Sequence, residues 1–211
     1  MKKRYEEYLN KDNNFDKTTK THIIILIAII SGFFGFFYEY IFYFFNGGMK
    51  DFYWRGGNFL PWLDIYAIGA VVIYFLCYKD RKKPLKVFLK SGLSCGIIEL
   101  IAGLLIYLLR NGYRSWNYNT EILNFGNVGG FVCLRSVLVF ATCGLLLIYI
   151  IVPLCFLLAK KLPKKVFGII ITIIFLIILV DEIYNLIIIR LISLPPSWDI
   201  YTSLGIKYVK S

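Results

Sequence analysis

The sequence predicts an all-α, polytopic integral membrane helical bundle with five transmembrane helices, the N-terminus cytoplasmic and the C-terminus outside. Three observations predict it. Five apolar runs have the length that crosses a bilayer, basic residues gather in alternate connections, and several acids sit inside the apolar runs. The chain has 211 residues, 58% of them hydrophobic, and a mean hydropathy of +0.66. One soluble core of this size could not hide so much Ile, Leu and Phe.

The runs are 23–45, 59–78, 86–109, 131–159 and 166–192. A hydrocarbon core of about 30 Å needs about 20 helical residues at 1.5 Å each. The runs are too long for strands and lack the period-two alternation of a membrane barrel. In lipid the backbone must satisfy its own hydrogen bonds, so each run is expected to be helical.

Residues 1–22 form a polar N-terminal segment, read as cytoplasmic, in which Tyr5, Tyr8 and Leu9 could share one face. It carries Lys2, Lys3, Arg4, Lys11, Lys17 and Lys20; His22 is expected to meet headgroups. The first run is too long for a signal peptide, carries Glu39 and has no small-residue cleavage site after it, so it is expected to remain as an anchor. The connection 46–58 brackets Tyr53, Trp54 and Arg55 with two Gly pairs, as a tight outer turn with an interfacial anchor would. Pro61 stands near the expected start of the second helix.

Lys79, Arg81, Lys82, Lys83, Lys86 and Lys90 surround the short turn to the third helix, and Lys160, Lys161, Lys164 and Lys165 separate the fourth from the fifth. The other side holds Lys50, Arg55, Arg110 and Arg114 in its loops, with Arg190, Lys207 and Lys210 at or after the last helix. Cytoplasmic loops carry the excess of Lys and Arg, which sets the orientation. The net charge of +11 thus reads as topology and attraction to anionic lipids, with no nucleic-acid partner. Residues 193–211 become an outer tail.

In the third helix, Gly92 and Gly96 make a GxxxG, read as packing inside the bundle with a dimer face as the alternative. Ser31 and Gly35 play that part in the first. Pro153 removes a backbone bond in the fourth. The five cysteines fall within helices without a CxxC and read as buried free thiols.

Glu39, Asp64, Glu99 and the Asp181–Glu182 pair lie within the apolar runs. Ionised acids are costly there, by roughly 2.5–3.5 kcal/mol each on insertion scales, so they usually face protein or water. Counted from the outer ends, Glu39 is about 9 Å deep, Asp64 and Arg135 about 6–8 Å, and Glu99 with Asp181 roughly 15 Å. The expectation is an outward-facing polar pocket built from Glu39, Asp64, Glu99, Arg135 and Asp181, with Arg135 as counter-ion for Glu39 or Asp64. Arg55, Trp116, Asn117, Tyr118 and Asn124 would form its outer-loop lid. The alternative is that these charges only fix helix register.

No P-loop, HExxH, His pair or GxSxG stands in the chain. No metal or cofactor is expected, and nothing in the residues requires an enzyme, although paired carboxylates can do acid–base work.

Several segments resemble a bacterial membrane family described as putative ABC-transporter type IV. They are Arg55-Gly56 followed by Phe59-Leu60-Pro61, then Trp116-Asn117-Tyr118, Asn124, Gly130 and Cys133-Leu134, and Ile148-Tyr149 to Pro153. The family pattern reads Trp-Asp-Tyr-Ser, Phe-Asn and Gly-Arg-(Ile/Val)-Cys-Leu, with acids where Glu39 and Glu99 stand. The resemblance spans about residues 30–158. Asn117 replaces the family's Asp, and Phe131 replaces its Arg, with Arg135 one turn later. The resemblance implies a cell-membrane, multi-pass permease subunit with membrane lipids and a separate ATPase subunit as partners. Oligomers are possible on that reading. A membrane enzyme acting on lipid headgroups or lipid-linked carriers is the alternative, and an accessory or sensor protein a second.

Overall fold

The computed structural model describes residues 8, 14–46, 54, 58–109, 111–114 and 116–207. Helix α1 (Lys17–Asn46) begins where the Asp16 carboxylate accepts from the Thr19 hydroxyl (2.7 Å) and amide (3.3 Å), an N-cap that satisfies first-turn donors. Helix α2 (Asp64–Cys77) runs into a 3₁₀ turn, Tyr78–Asp80. Helix α3 (Pro84–Leu109) opens on Pro84, whose missing N–H costs little there. Helix α4 comprises Leu134–Leu146, a wide π turn at Leu147–Ile151, and Val152–Lys161. Helix α5 comprises Lys164–Ile183, a π turn at Tyr184–Ile188, and a last turn at Ile189–Leu191. A short α6 (Ser197–Ser203) follows.

Four of these helices, α1, α3, α4 and α5, are long and apolar enough to cross a membrane. The fifth expected helix is the short one. Residues 59–63 are not helical, and α2 has 14 residues. The expected tail also contains α6, signalled in sequence by Pro196-Ser197 with Asp199 in the first turn.

Among the described residues, contacts group Tyr8, Asn14 and Gly69–Leu154 into one unit, and the described parts of Phe15–Ile68 and Cys155–Ser211 into another. In the first, α3 packs on α4 through small residues. A Cβ on Gly92 would lie 3.0 Å from both the Val137 carbonyl and the Ala141 methyl, and one on Gly96 would lie 2.8 Å from a Val137 methyl. Ser91, fully buried, faces Gly144 in the same seam. The GxxxG therefore packs α3 on α4. The opposite face of α3 exposes Leu85, Leu89, Leu93, Ile97, Ile101, Leu105 and Leu108. Small and polar inside with large and apolar outside is the arrangement lipid demands and water penalises.

The same unit anchors Tyr8, which is buried rather than lying on a surface face. Its hydroxyl donates to the Ile148 carbonyl (2.6 Å) within the α4 π turn, five residues before Pro153. Tyr5 and Leu9 lie outside the described residues. Arg81 donates to the Tyr8 carbonyl (3.1 Å) and stacks on Tyr78, 4.4 Å from its ring centre.

In the second unit, α1 packs on α5, and Trp62 and Tyr66 close against Gly32 and Gly35. The Leu63 amide donates to the Gly32 carbonyl (3.2 Å) and the Trp62 indole to the Ile29 carbonyl (3.2 Å). All five cysteines are free thiols.

Candidate functional site

Glu99 lies on α3, about two turns past Gly92, and points at α4 and the preceding loop. Tyr118 donates its hydroxyl to Glu99 Oε1 (2.5 Å). Ser136, in the first turn of α4, lies with its Oγ 2.8 Å from Glu99 Oε2 and 2.8 Å from the Cys133 carbonyl. That hydroxyl has one proton to share between the two acceptors. Two hydroxyls thus reach the Glu99 carboxylate.

Beside it stands a buried ion pair. Arg135 Nη2 lies 2.5 Å from Glu121 Oε2, with the two side chains 11% and 8% exposed. The Arg135 guanidinium also sits over the Tyr118 ring, 5.1 Å from its centre. Arg135 thus meets a carboxylate on the loop, Glu121. The chain brings them together cheaply, since only 14 residues separate them. Tyr118 links both halves: its hydroxyl serves Glu99 and its ring serves Arg135. Burial, and then the Glu99 carboxylate, push the Tyr118 hydroxyl well above the usual phenol range, so it remains a donor.

The loop that carries Tyr118 is built, not loose. Trp116 donates from its indole to the Phe131 carbonyl (2.9 Å), and the Tyr118 amide to the Gly130 carbonyl (3.0 Å). Asn124 donates to the Tyr118 carbonyl (3.0 Å). Asn117 accepts from the Asn119 amide (3.2 Å), capping the 3₁₀ turn Tyr118–Thr120. An Asp at this position would accept the same bond and leave the turn intact. Gly130 has φ +81°, and a Cβ there would lie within 2.7 Å of polar atoms from Asn117, Arg114 and Asn119; only glycine fits. Arg114 donates to the Gly129 carbonyl (2.7 Å) and lies 4.3 Å from the Phe131 ring centre. A guanidinium from 114 therefore covers Phe131.

The remaining expected residues belong to the other unit. Asp181, 8% exposed, accepts from the Phe59 amide (2.9 Å), the Leu60 amide (2.7 Å) and the Asn185 side chain (2.9 Å). Glu182 accepts from Asn58 (2.6 Å). Asn185 in turn accepts from the Ser197 amide at the start of α6 (3.1 Å), and Tyr201 on α6 donates to the Phe59 carbonyl (2.6 Å). These acids tie a turn and a tail to α5. Asp64, placed five residues into a helix by the sequence, is exposed at the first position of α2, where a carboxylate suits the helix dipole. Glu39 is half-buried on α1. Arg55 lies outside the described residues.

The structure thus groups Glu99, Arg135, Trp116, Asn117, Tyr118 and Asn124 in one unit, and Glu39, Asp64 and Asp181 fall in the other. Ser136 and Glu121 were missed. Ser136 was legible in principle, because it is the third residue of a helix capped by Cys133. Glu121 was not, because it stands outside every apolar run. Among the described residues no group of three His, Cys, Asp or Glu side chains gathers as a metal site would.

No curated protein and no solved structure shows a significant match to the chain. One family does, and its model matches residues 26–186, which takes in Glu99, the whole loop and α4. This match, over apolar helices long enough to cross a membrane, places the chain in the family described as putative ABC-transporter type IV.

Proposed function

We propose that the chain is a permease subunit for a small solute, with the Glu99–Tyr118–Ser136 network as its working centre and a separate ATPase as its energy source. One observation carries this reading. An acid inside an apolar helix is met by hydroxyls, one of them from a structured loop, and not by a fixed cation or by backbone amides. A carboxylate held this way exchanges a proton or a ligand contact with little rearrangement, because each hydroxyl can turn its proton elsewhere. The Glu121–Arg135 pair holds the loop in register over it.

In this reading five helices cross the bilayer. Helix α2 and its 3₁₀ turn supply about 27 Å, from 14 residues at 1.5 Å and three at about 2 Å, which suits a core of about 30 Å. The lysine-rich turns at 79–90 and 160–165 face the cytoplasm, the N-terminus lies inside, and the loop 111–133 lies outside. The cell membrane is the proposed location.

The test compares a deletion strain restored with wild type, with Glu99→Gln or with empty vector, at matched expression. Mass spectrometry profiles the cells, the medium and the lipids. The permease reading expects one solute whose inside-to-outside ratio returns with wild type and stays altered with Glu99→Gln. Full restoration by Glu99→Gln would leave the acid with a register role only. A lost lipid species with unchanged solute ratios would favour the enzyme acting on lipid headgroups. A tight co-purifying protein with neither change would favour the accessory role.

A further inference from the structure

At the lysine-rich end of α1 and α5, within one unit, the two helices part to leave an open groove of about 600 Å³. It is lined by Thr18 and His22 from α1 and by Lys164, Lys165, Gly168, Ile169, Thr172 and Ile173 from α5. Gly168 makes the gap: a Cβ there would lie 3.1 Å from the His22 ring. His22 Nε2 stands 3.5 Å from the Thr172 hydroxyl across the gap, and its ring meets Phe167 edge-on at 6.3 Å. The groove is thus polar at one end and apolar along its length, where Ile169 and Ile173 are half exposed, at 49% and 52%.

The charges at its mouth are one-sided. Among the described residues, Lys17, Lys20, Lys160, Lys161, Lys164 and Lys165 gather at this end, with Asp16 as the acid. Asp16 already has partners: it caps Thr19 and lies 2.9 Å from Lys164 Nζ. The Thr19 and Lys164 bonds hold its carboxyl well below the usual range, so it stays an anion and offsets one lysine. The excess of cations remains, and the first-turn amides of α5, which have no intrahelical acceptor, add to it.

From this juxtaposition we infer that the groove seats an anionic phospholipid. Its phosphodiester lies against Lys164, Lys165 and Thr18, and an acyl chain runs along Gly168, Ile169 and Ile173. A free anion would match only the mouth. A zwitterionic lipid would bring its own ammonium against the lysines and lose the attraction. Basic pockets between helices at a membrane face have this chemistry. The inference does not use the permease reading, and a failure of either leaves the other standing.

The full chain in detergent, stripped of lipid, is mixed with equal phosphatidylglycerol and phosphatidylcholine and examined by native mass spectrometry. We expect one phosphatidylglycerol to be retained in preference to phosphatidylcholine. The Lys164→Ala/Lys165→Ala double variant should bind it roughly 30-fold more weakly. The Lys82→Ala/Lys83→Ala double, which removes equal charge from an exposed site elsewhere, should keep the preference. Gly168→Leu, which leaves every lysine in place, should weaken both lipids by filling the groove. Should the double variant fail to fold, as read by its thermal melt, Lys165→Glu alone carries the same expectation. Equal retention of both lipids would overturn the inference, as would equal loss in the Lys82/Lys83 variant. Displacement by millimolar inorganic phosphate would also overturn it, by assigning the mouth to a free anion.

Discussion

Glu99 and Asp181 are both acids far inside apolar helices, and hydropathy cannot tell them apart. Their donors can. Asp181 is gripped by two backbone amides and the Asn185 side chain, and Glu99 by the hydroxyls of Tyr118 and Ser136. A backbone amide in a turn cannot rotate away or change its role. A hydroxyl can do both. A buried acid clamped by amides is therefore part of the frame, and a buried acid served by hydroxyls has room to act.

That contrast makes its largest demand on stability. Asp181→Ala leaves the Phe59 and Leu60 amides without their acceptor, and Asn185 keeps only the Asp181 backbone carbonyl (3.0 Å). Bonds to a charged group contribute about 1.5–3 kcal/mol each, and orphaned buried amides cost more than the bond returned. We expect a loss of about 4 kcal/mol, read by denaturant titration of the full chain in detergent. Asp181→Asn, which keeps one oxygen, should recover part of it. A loss no greater than that of a single hydroxyl deletion would remove the distinction between the two acids.

The next largest effect tests the ion pair that holds the loop. Arg135→Met removes the cation beside the Glu121 carboxylate, and breaking one side of such a pair costs about 3 kcal/mol or more. Adding Glu121→Leu should return most of that stability, because the carboxylate goes too. If the double variant is as unstable as the single, the cost lies in packing against Tyr118 and not in charge.

These two cases also mark what sequence could deliver. The long helices were legible because apolar length alone specifies them, and α1, α3, α4 and α5 follow the runs closely. Residues 59–63 were misread as helix because hydropathy scores the side chains of Phe59, Leu60 and Trp62. It does not see that the amides of 59 and 60 are committed to Asp181. Glu121 went unnoticed as a partner of Arg135 for a related reason: acids were sought only within apolar runs, and Glu121 stands on the loop. The loop residues Trp116, Asn117, Tyr118 and Asn124 were found through their resemblance to a family pattern. Their bonds to Glu99, Gly130 and Phe131 required coordinates. The π turns at Leu147–Ile151 and Tyr184–Ile188 have no signature that periodicity detects.

A smaller effect sharpens the Glu99 side. Tyr118→Phe removes one donor and keeps the ring over which Arg135 sits. The expected cost is about 1 kcal/mol of stability, with a solute-transport defect close to that of Glu99→Gln. Ser136→Ala should do less, since Tyr118 still reaches the other carboxylate oxygen. A stability loss in Tyr118→Phe that matches Asp181→Ala would make Glu99 a frame residue as well.

The smallest effect comes from a third acid, one that water can reach. Asp80 accepts from Lys86 and Lys90, each at 2.8 Å, with 18% of its side chain exposed. Those two ammonium groups lower its carboxyl from the ordinary 3.8 to about 2. The sign follows from linkage. A depressed folded-state value means the unfolded chain takes up the proton first, so the stabilisation is complete above about pH 4 and disappears as pH falls through about 2. The melting temperature of wild type minus that of Asp80→Asn should therefore be positive and constant near neutrality, then shrink toward zero across that window. A difference that persists below it would mean that Asp80 acts through packing. A difference absent at every pH would mean that its lysines gain nothing over water, as exposed pairs often do. Either result would limit the rule drawn from Glu99 and Asp181 to acids that the chain takes out of water.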